Sequence, residues 1–298
     1  MPRSPSPSPA GRPSDPTGTL SSYRYGRFDP TTRLLPGEFW RATLTPFGPA
    51  TVHLDWREGA MRTEAWGDGA DWLAASVPGL VGHLDQGHVF TTGHPALLRA
   101  QHHHPGVHFG SSGTLYHELI PTVLGQRVTG GEGLQQWWRL VQRLGRPAPG
   151  PAGLTLPPDP ATVLEHPSWW FHQLGVETKR AEAVRTVARH ADRMFDWALL
   201  PHPSRSLALL PGIGQWTIGS VLAHAVGDPD AVAVGDYHLK NIITHAFTGR
   251  PRGTDEEMLE LLAPYEGQRG RVCRLLLLDG HRAPKFGPRQ RIIRLNRR

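Results

Sequence analysis

Apolar residues recur along the chain with two different periods. In residues 25–91 the period is two. Residues 39–45 and 50–56 alternate apolar and polar side chains across Gly48-Pro49 and read as half-buried antiparallel strands. Residues 61–66 read as a third strand, and 71–75 and 78–84 as short helices, with Asp71 as an N-cap. From Thr114 the period becomes helical. Leu115, Leu119, Ile120, Val123 and Leu124 share one face of a helix over 115–128, in which Pro121 marks a kink or a start. Further helices are expected over 134–144, 162–174 and 177–200. The last carries Val184, Val187, Ala188, Ala191, Phe195 and Ala198 at helical spacing. Residues 145–160 form a Pro/Gly loop, and no internal repeat is visible.

These periods predict a mostly α protein with a small N-terminal α+β lobe, in three parts. Residues 1–24, rich in Pro and Ser, are expected to be a disordered tail. The lobe spans 25–91 and a helical domain 92–298. Between 92 and 110 lie His94, His102, His103, His104 and His108, read as exposed linker histidines and not as metal ligands. The paired tryptophans Trp137/Trp138 and Trp169/Trp170 read first as core.

Charge and cysteine usage narrow the function. The net charge is +6, and residues 269–298 hold ten Arg or Lys against the single acid Asp279, a pattern suited to a polyanionic partner. One cysteine, Cys273, excludes an internal disulfide and a four-cysteine iron–sulfur or zinc site. No apolar run reaches the roughly 18 residues of a membrane span, and Met1-Pro-Arg-Ser-Pro has no apolar signal core, so a cytoplasmic, nucleoid-associated protein is expected.

The most informative stretch is 207–241. Leu207, Leu209 and Leu210 close one helix, and Pro211 and Gly212 stop it. Gly214 then leaves bare backbone at the start of a second helix that is apolar at Trp216, Ile218, Val221 and Leu222. A helix N-terminus flanked by glycine is an anion site, because its N–H groups lack partners and the dipole end is positive. The connector 231–234 delivers Asp236 to a third helix over 237–247, where Asp236 could be a plain N-cap.

The order Leu-Pro-Gly-Ile-Gly-x-x-Thr, then apolar-x-Asp-x-His-x-Lys, resembles the helix-hairpin-helix signature of DNA glycosylases. Within that superfamily the chain is most similar to bacterial 3-methyladenine DNA glycosylase II. Val123-Leu-Gly-Gln126-Arg127-Val128 and Leu174-Gly-Val-x-x-Lys179-Arg180-Ala also match that family, so the resemblance covers about 92–282. It implies a monomeric enzyme that flips a damaged base out of double-stranded DNA. Gly212, Ile213, Gly214 and Thr217 would grip phosphate, helped by His238 and Lys240. No cofactor is implied beyond a monovalent cation at the hairpin, and no metal. Asp236 would stabilise the oxocarbenium-like sugar or orient water. Gln126 or Arg127 would fill the hole in the duplex; Arg127, where relatives carry an aliphatic residue, reads equally as a phosphate contact. Bifunctional relatives carry a nucleophilic lysine where this chain has Trp216, so hydrolysis without strand cleavage is implied.

The base pocket follows the family least. Trp216 could stack on an electron-poor alkylated purine. However, Ser220 replaces an expected tyrosine, and leucines around Leu277 replace expected aromatics; Trp169, Trp170 and Tyr237 are further candidates. Two alternatives stay open: a different lesion (oxidised, deaminated or bulky alkyl base), or a non-catalytic helix-hairpin-helix DNA-binding protein.

Overall fold

The computed structural model describes residues 16–284. The expected basic segment therefore lies partly outside the described residues, from 285 on.

The N-terminal lobe begins earlier than composition suggests. Thr17–Leu20 (α1) and a 3₁₀ turn over Ser21–Tyr23 are helical, and Leu20 and Tyr23 are fully buried. Two large apolar side chains with a sheet to cover outweigh the polar composition around them. The sheet is an antiparallel meander of Thr32–Leu35 (β1), Glu38–Thr45 (β2), Gly48–Asp55 (β3) and Arg62–Trp66 (β4). β1, short and weakly alternating, is absent from the sequence reading. It is set by the turn at Gly37, whose φ of 76° suits glycine. Helices Ala70–Ala75 (α2) and Val77–Leu80 (α3) close one face of the sheet over Phe39, Val52 and Leu54.

Pro95–His103 (α4) corrects the linker reading of 92–110. His94 accepts the Ala96 N–H through Nδ1, Pro95 takes the first helical position, and Ala96, Leu97 and Ala100 are buried. The helical body continues with Leu115–Leu124 (α5), Gly130–Leu144 (α6) and Pro160–Glu165 (α7), then Thr178–Arg189 (α8) and Ala191–Ala198 (α9). Pro121 lies inside α5. The single helix expected over 177–200 is broken at His190, with φ −110° and ψ 9°; the interruption is one residue long, so the apolar spacing runs across it undisturbed. The 162–174 helix is likewise split, into α7 and a 3₁₀ segment over Ser168–Leu174. Of the paired tryptophans, Trp137 is fully buried, whereas Trp138 and Trp169 are exposed.

Pro203–Ala208 (α10) and Gln215–Ala225 (α11) form the hairpin and join α5, α6 and α8 in the largest core. Leu239–Thr248 (α12), Asp255–Leu262 (α13) and Arg269–Leu278 (α14) pack with α4 around a second core. The connector between α11 and α12 thus passes from one core to the other.

A buried polar network ties the lobe to α5. Arg41 on β2 donates to Glu118 at 2.6 Å and reaches His117 Nδ1 at 3.0 Å, and Tyr25 donates to Glu118 at 2.6 Å. Burial, with Arg41 beside it, pushes the His117 pKa well below 6.5, so its ring is neutral. The basic run around α14 is also partly structural: Arg269 pairs with Asp230, and buried Arg271 pairs with Asp85 at 2.6 Å.

Candidate active site

The hairpin turn depends on two glycines for different reasons. Gly212 has φ 86°, and a Cβ there would lie 2.8 Å from the Cβ of Ala183. Glycine is thus required both by conformation and by close approach to α8. Gly214 is extended, at φ −97° and ψ 179°, and a Cβ there would meet open space. Its absence of a side chain matters only to something arriving from outside.

Ile213 is buried, and its N–H is taken by the Leu210 carbonyl at 3.0 Å. It anchors the turn and offers no free amide. Thr217 is buried as well, its hydroxyl accepting from Gln126 Nε2 at 2.8 Å. The amides open to an anion are those of the first turn of α11, which has no side-chain cap.

Gln126 and Arg127, adjacent in sequence, are placed very differently. Gln126 also donates to the Gly212 carbonyl at 2.9 Å, so its amide cross-links the α5–α6 loop to the hairpin. Arg127 is exposed and has φ 56°, the one positive φ of a non-glycine among the described residues. Such a conformation costs on the order of 1 kcal/mol and persists only where neighbours impose it. Arg180 braces the start of the same loop. Buried in α8, it donates to the Leu124 carbonyl and to Gln136 Oε1, each at 2.6 Å. The close approach of Gly133 to Gly125, 2.9 Å from an added Cβ to Cα, fixes the other side of the loop.

Asp236 sits at the head of α12. Its Oδ1 accepts the N–H groups of His238 and Leu239, both at 2.8 Å. Its Oδ2 accepts the indole N–H of Trp216 at 3.1 Å. A carboxylate offers about four lone-pair directions, so one on Oδ2 is left beyond these donors. The connector that carries Asp236 is held close on both sides. An added Cβ on Gly219 of α11 would stand 2.0 Å from the Val232 carbonyl oxygen, and one on Gly270 of α14 would stand 2.5 Å from that of Ala231.

The remaining expected residues divide. Tyr237 and His238 are exposed beside Asp236, their rings edge to face at 5.0 Å. Ser220 turns its hydroxyl back to the Trp216 carbonyl at 2.7 Å. Leu277 is exposed on the last turn of α14. Lys240 donates to Asp255 Oδ2 at 2.9 Å, and Asp255 Oδ1 accepts the Gly235 N–H, also at 2.9 Å. Partial burial works to raise the Asp255 pKa, but these donors outweigh it and hold it below the usual carboxylate value. Arg180 is marked in the sequence only as part of the Leu174–Ala181 match, and Asp255 by no family motif. Thr254-Asp-Glu-Glu257 was a capping-box signal that fixes Asp255 in the first turn of α13.

A cavity of about 370 Å³ lies between α4 and α14, lined by His102, His104, Arg271 and Leu275 among others, away from the Asp236 residues. Among the described residues, no group of three or more His, Cys, Asp or Glu is arranged to hold a metal.

The arrangement of helices, hairpin and antiparallel sheet is a fold shared with solved DNA glycosylases. The chain is similar over 89% of its length to 95% of a 3-methyladenine DNA glycosylase from Archaeoglobus fulgidus, with a TM-score of 0.72 and 16% identity. It is also similar, over 89% of its length, to 90% of the 8-oxoguanine glycosylase/lyase of Clostridium acetobutylicum solved with double-stranded DNA, with a TM-score of 0.64 and 10% identity. No family model and no curated protein matches the sequence.

Proposed function

We propose that the protein is a monofunctional DNA glycosylase of base excision repair that hydrolyses the glycosidic bond of alkylated purines in double-stranded DNA. The observation that carries this reading is Asp236, held by three N–H donors with one lone-pair direction left over. A fixed carboxylate facing developing positive charge on the sugar is electrostatic catalysis, and the same oxygen can orient the attacking water. Plain DNA binding gains nothing from such a group near phosphates.

The first turn of α11 supplies unpartnered amides for a backbone phosphate. Arg127, held outward by its backbone, is the better candidate to occupy the space left by a flipped base, since Gln126 is engaged with the hairpin. Trp216 occupies the position of the lysine nucleophile, which supports hydrolysis without a Schiff base. N3- and N7-alkylated purines carry positive charge and leave without strong acid catalysis, which suits a site built on one carboxylate.

The test is incubation with alkylated duplex DNA and mass spectrometry of the released bases. Release of 3-methyladenine or 7-methylguanine with intact abasic strands supports the reading. Release of 8-oxoguanine alone, from an oxidised duplex, would move the substrate class to oxidised purines.

A further inference from the structure

Lys240 is expected from the sequence to touch DNA; in the structure its ammonium is held by Asp255. Asp255, in the first turn of α13, receives it at 2.9 Å on Oδ2 and the Gly235 N–H at 2.9 Å on Oδ1. One carboxylate therefore ties down the residue before Asp236 and the residue one helical turn after it. Neither partner floats freely: the side chains are 27% and 22% exposed. Asp255 is itself placed by the capping box of Thr254 and Glu257.

A second cross-tie runs in parallel. Asn241 accepts the Gly253 N–H at 3.1 Å and donates to the Tyr237 carbonyl at 2.9 Å. The segments 253–255 and 235–241 are thus stitched together around Asp236. Gly235, at φ 91°, has no side chain through which to fix itself. Its amide bond to Asp255 supplies that constraint.

We infer that Asp255 and Lys240 act as a positioning pair that sets the orientation of Asp236, and that Lys240 is not a phosphate contact. This inference rests on the glycosylase reading for its kinetic consequence, but its structural half can be measured without catalysis. The two assignments of Lys240 make opposite demands on Asp255. A phosphate-gripping lysine would be released by loss of Asp255, and DNA binding would tighten. A bracing lysine would lose its purpose, and Asp236 would drift.

The experiment compares wild type, Lys240→Met, Asp255→Ala, the double variant, and the milder Lys240→Arg and Asp255→Asn. Three readouts are taken: single-turnover excision from alkylated duplex, affinity for undamaged duplex across salt concentrations, and amide exchange of a peptide covering 231–238. A misplaced reacting group costs roughly 10- to 100-fold in rate. Each of Lys240→Met and Asp255→Ala is expected to slow excision to that extent, and the double variant no more than the worse single, because the two act as one unit. Duplex affinity and its salt dependence should stay at the wild-type value, exchange of 231–238 should quicken in both singles, and Lys240→Arg should recover most of the rate.

Weaker duplex binding in Lys240→Met, with a salt slope lower by about one phosphate, together with tighter binding in Asp255→Ala, would overturn the pairing. Unchanged exchange in folded variants would overturn it too. If wild type releases no base while exchange responds as expected, the glycosylase reading fails and the brace stands.

Discussion

The indole N–H of Trp216 donates to the Asp236 carboxylate at 3.1 Å, joining the hairpin helix of one core to the head of α12 in the other. In the proposed function the same tryptophan takes the place of the lysine nucleophile of bifunctional glycosylases. Its polar atom thus faces the group proposed to do the chemistry, and its ring lies alongside.

Trp216→Phe separates those roles. A smaller aromatic ring survives and the donor is lost. A hydrogen bond to a charged group contributes roughly 1.5–3 kcal/mol, so single-turnover excision is expected to fall about 10- to 100-fold with duplex affinity unchanged. A Phe variant excising at the wild-type rate would show that stacking alone is what Trp216 supplies.

The two hairpin glycines should respond differently. Gly212→Ala places a Cβ in a left-handed conformation and 2.8 Å from Ala183, so it should lower stability by about 1 kcal/mol or more. Gly214→Asp, in extended backbone facing open space, should fold as wild type yet weaken binding to lesion and plain duplex alike, through repulsion of phosphate. Thermal melts and duplex titrations of both variants check this.

Arg127→Gly relieves the positive φ while removing the side chain. It should be no less stable than wild type, keep plain-duplex affinity and lose excision, because filling the stack matters only after the base leaves. Equal weakening toward plain and abasic-analogue duplexes would make Arg127 a phosphate contact.

The buried network at the lobe boundary governs stability and its pH dependence. Arg41→Met leaves Glu118 without its guanidinium and should cost roughly 3–5 kcal/mol in denaturant unfolding. His117 has a folded pKa well below 6.5. Below that value the unfolded chain binds the proton and the folded chain does not. Stability should therefore fall as pH drops from 7.5 to 5.5, by up to about 1.4 kcal/mol per pH unit from this group. The fall should be shallower in His117→Asn. Parallel pH profiles would assign it to other groups.

Local signals carried well from sequence to structure. The hairpin is legible because proline and glycine stop helices by covalent geometry, and β2 and β3 because apolar and polar residues alternate in their sequence, although β3 is buried on both faces. Tertiary placement was not legible. Nothing local to Lys240 reveals Asp255, and nothing local to Gln126 reveals the Gly212 carbonyl. The contact of Trp216 with Asp236 depends on a connector threaded past Gly219 and Gly270, glycines whose role appears only when carbonyls of another segment press on them. α4 was hidden by its histidines, although His94-Pro95 is a sound helix start.

The catalytic role of Asp236 is tested most directly by single-turnover excision of an N-alkylated purine from a defined duplex by wild type and Asp236→Asn, with strand integrity and borohydride trapping followed in the same reactions. Wild type is expected to release the base, leaving an intact abasic strand and no trapped adduct, and the Asn variant to react about 10²–10³ more slowly at undiminished duplex affinity. Excision by Asp236→Asn within tenfold of wild type, or an enzyme-dependent trapped adduct, would contradict it.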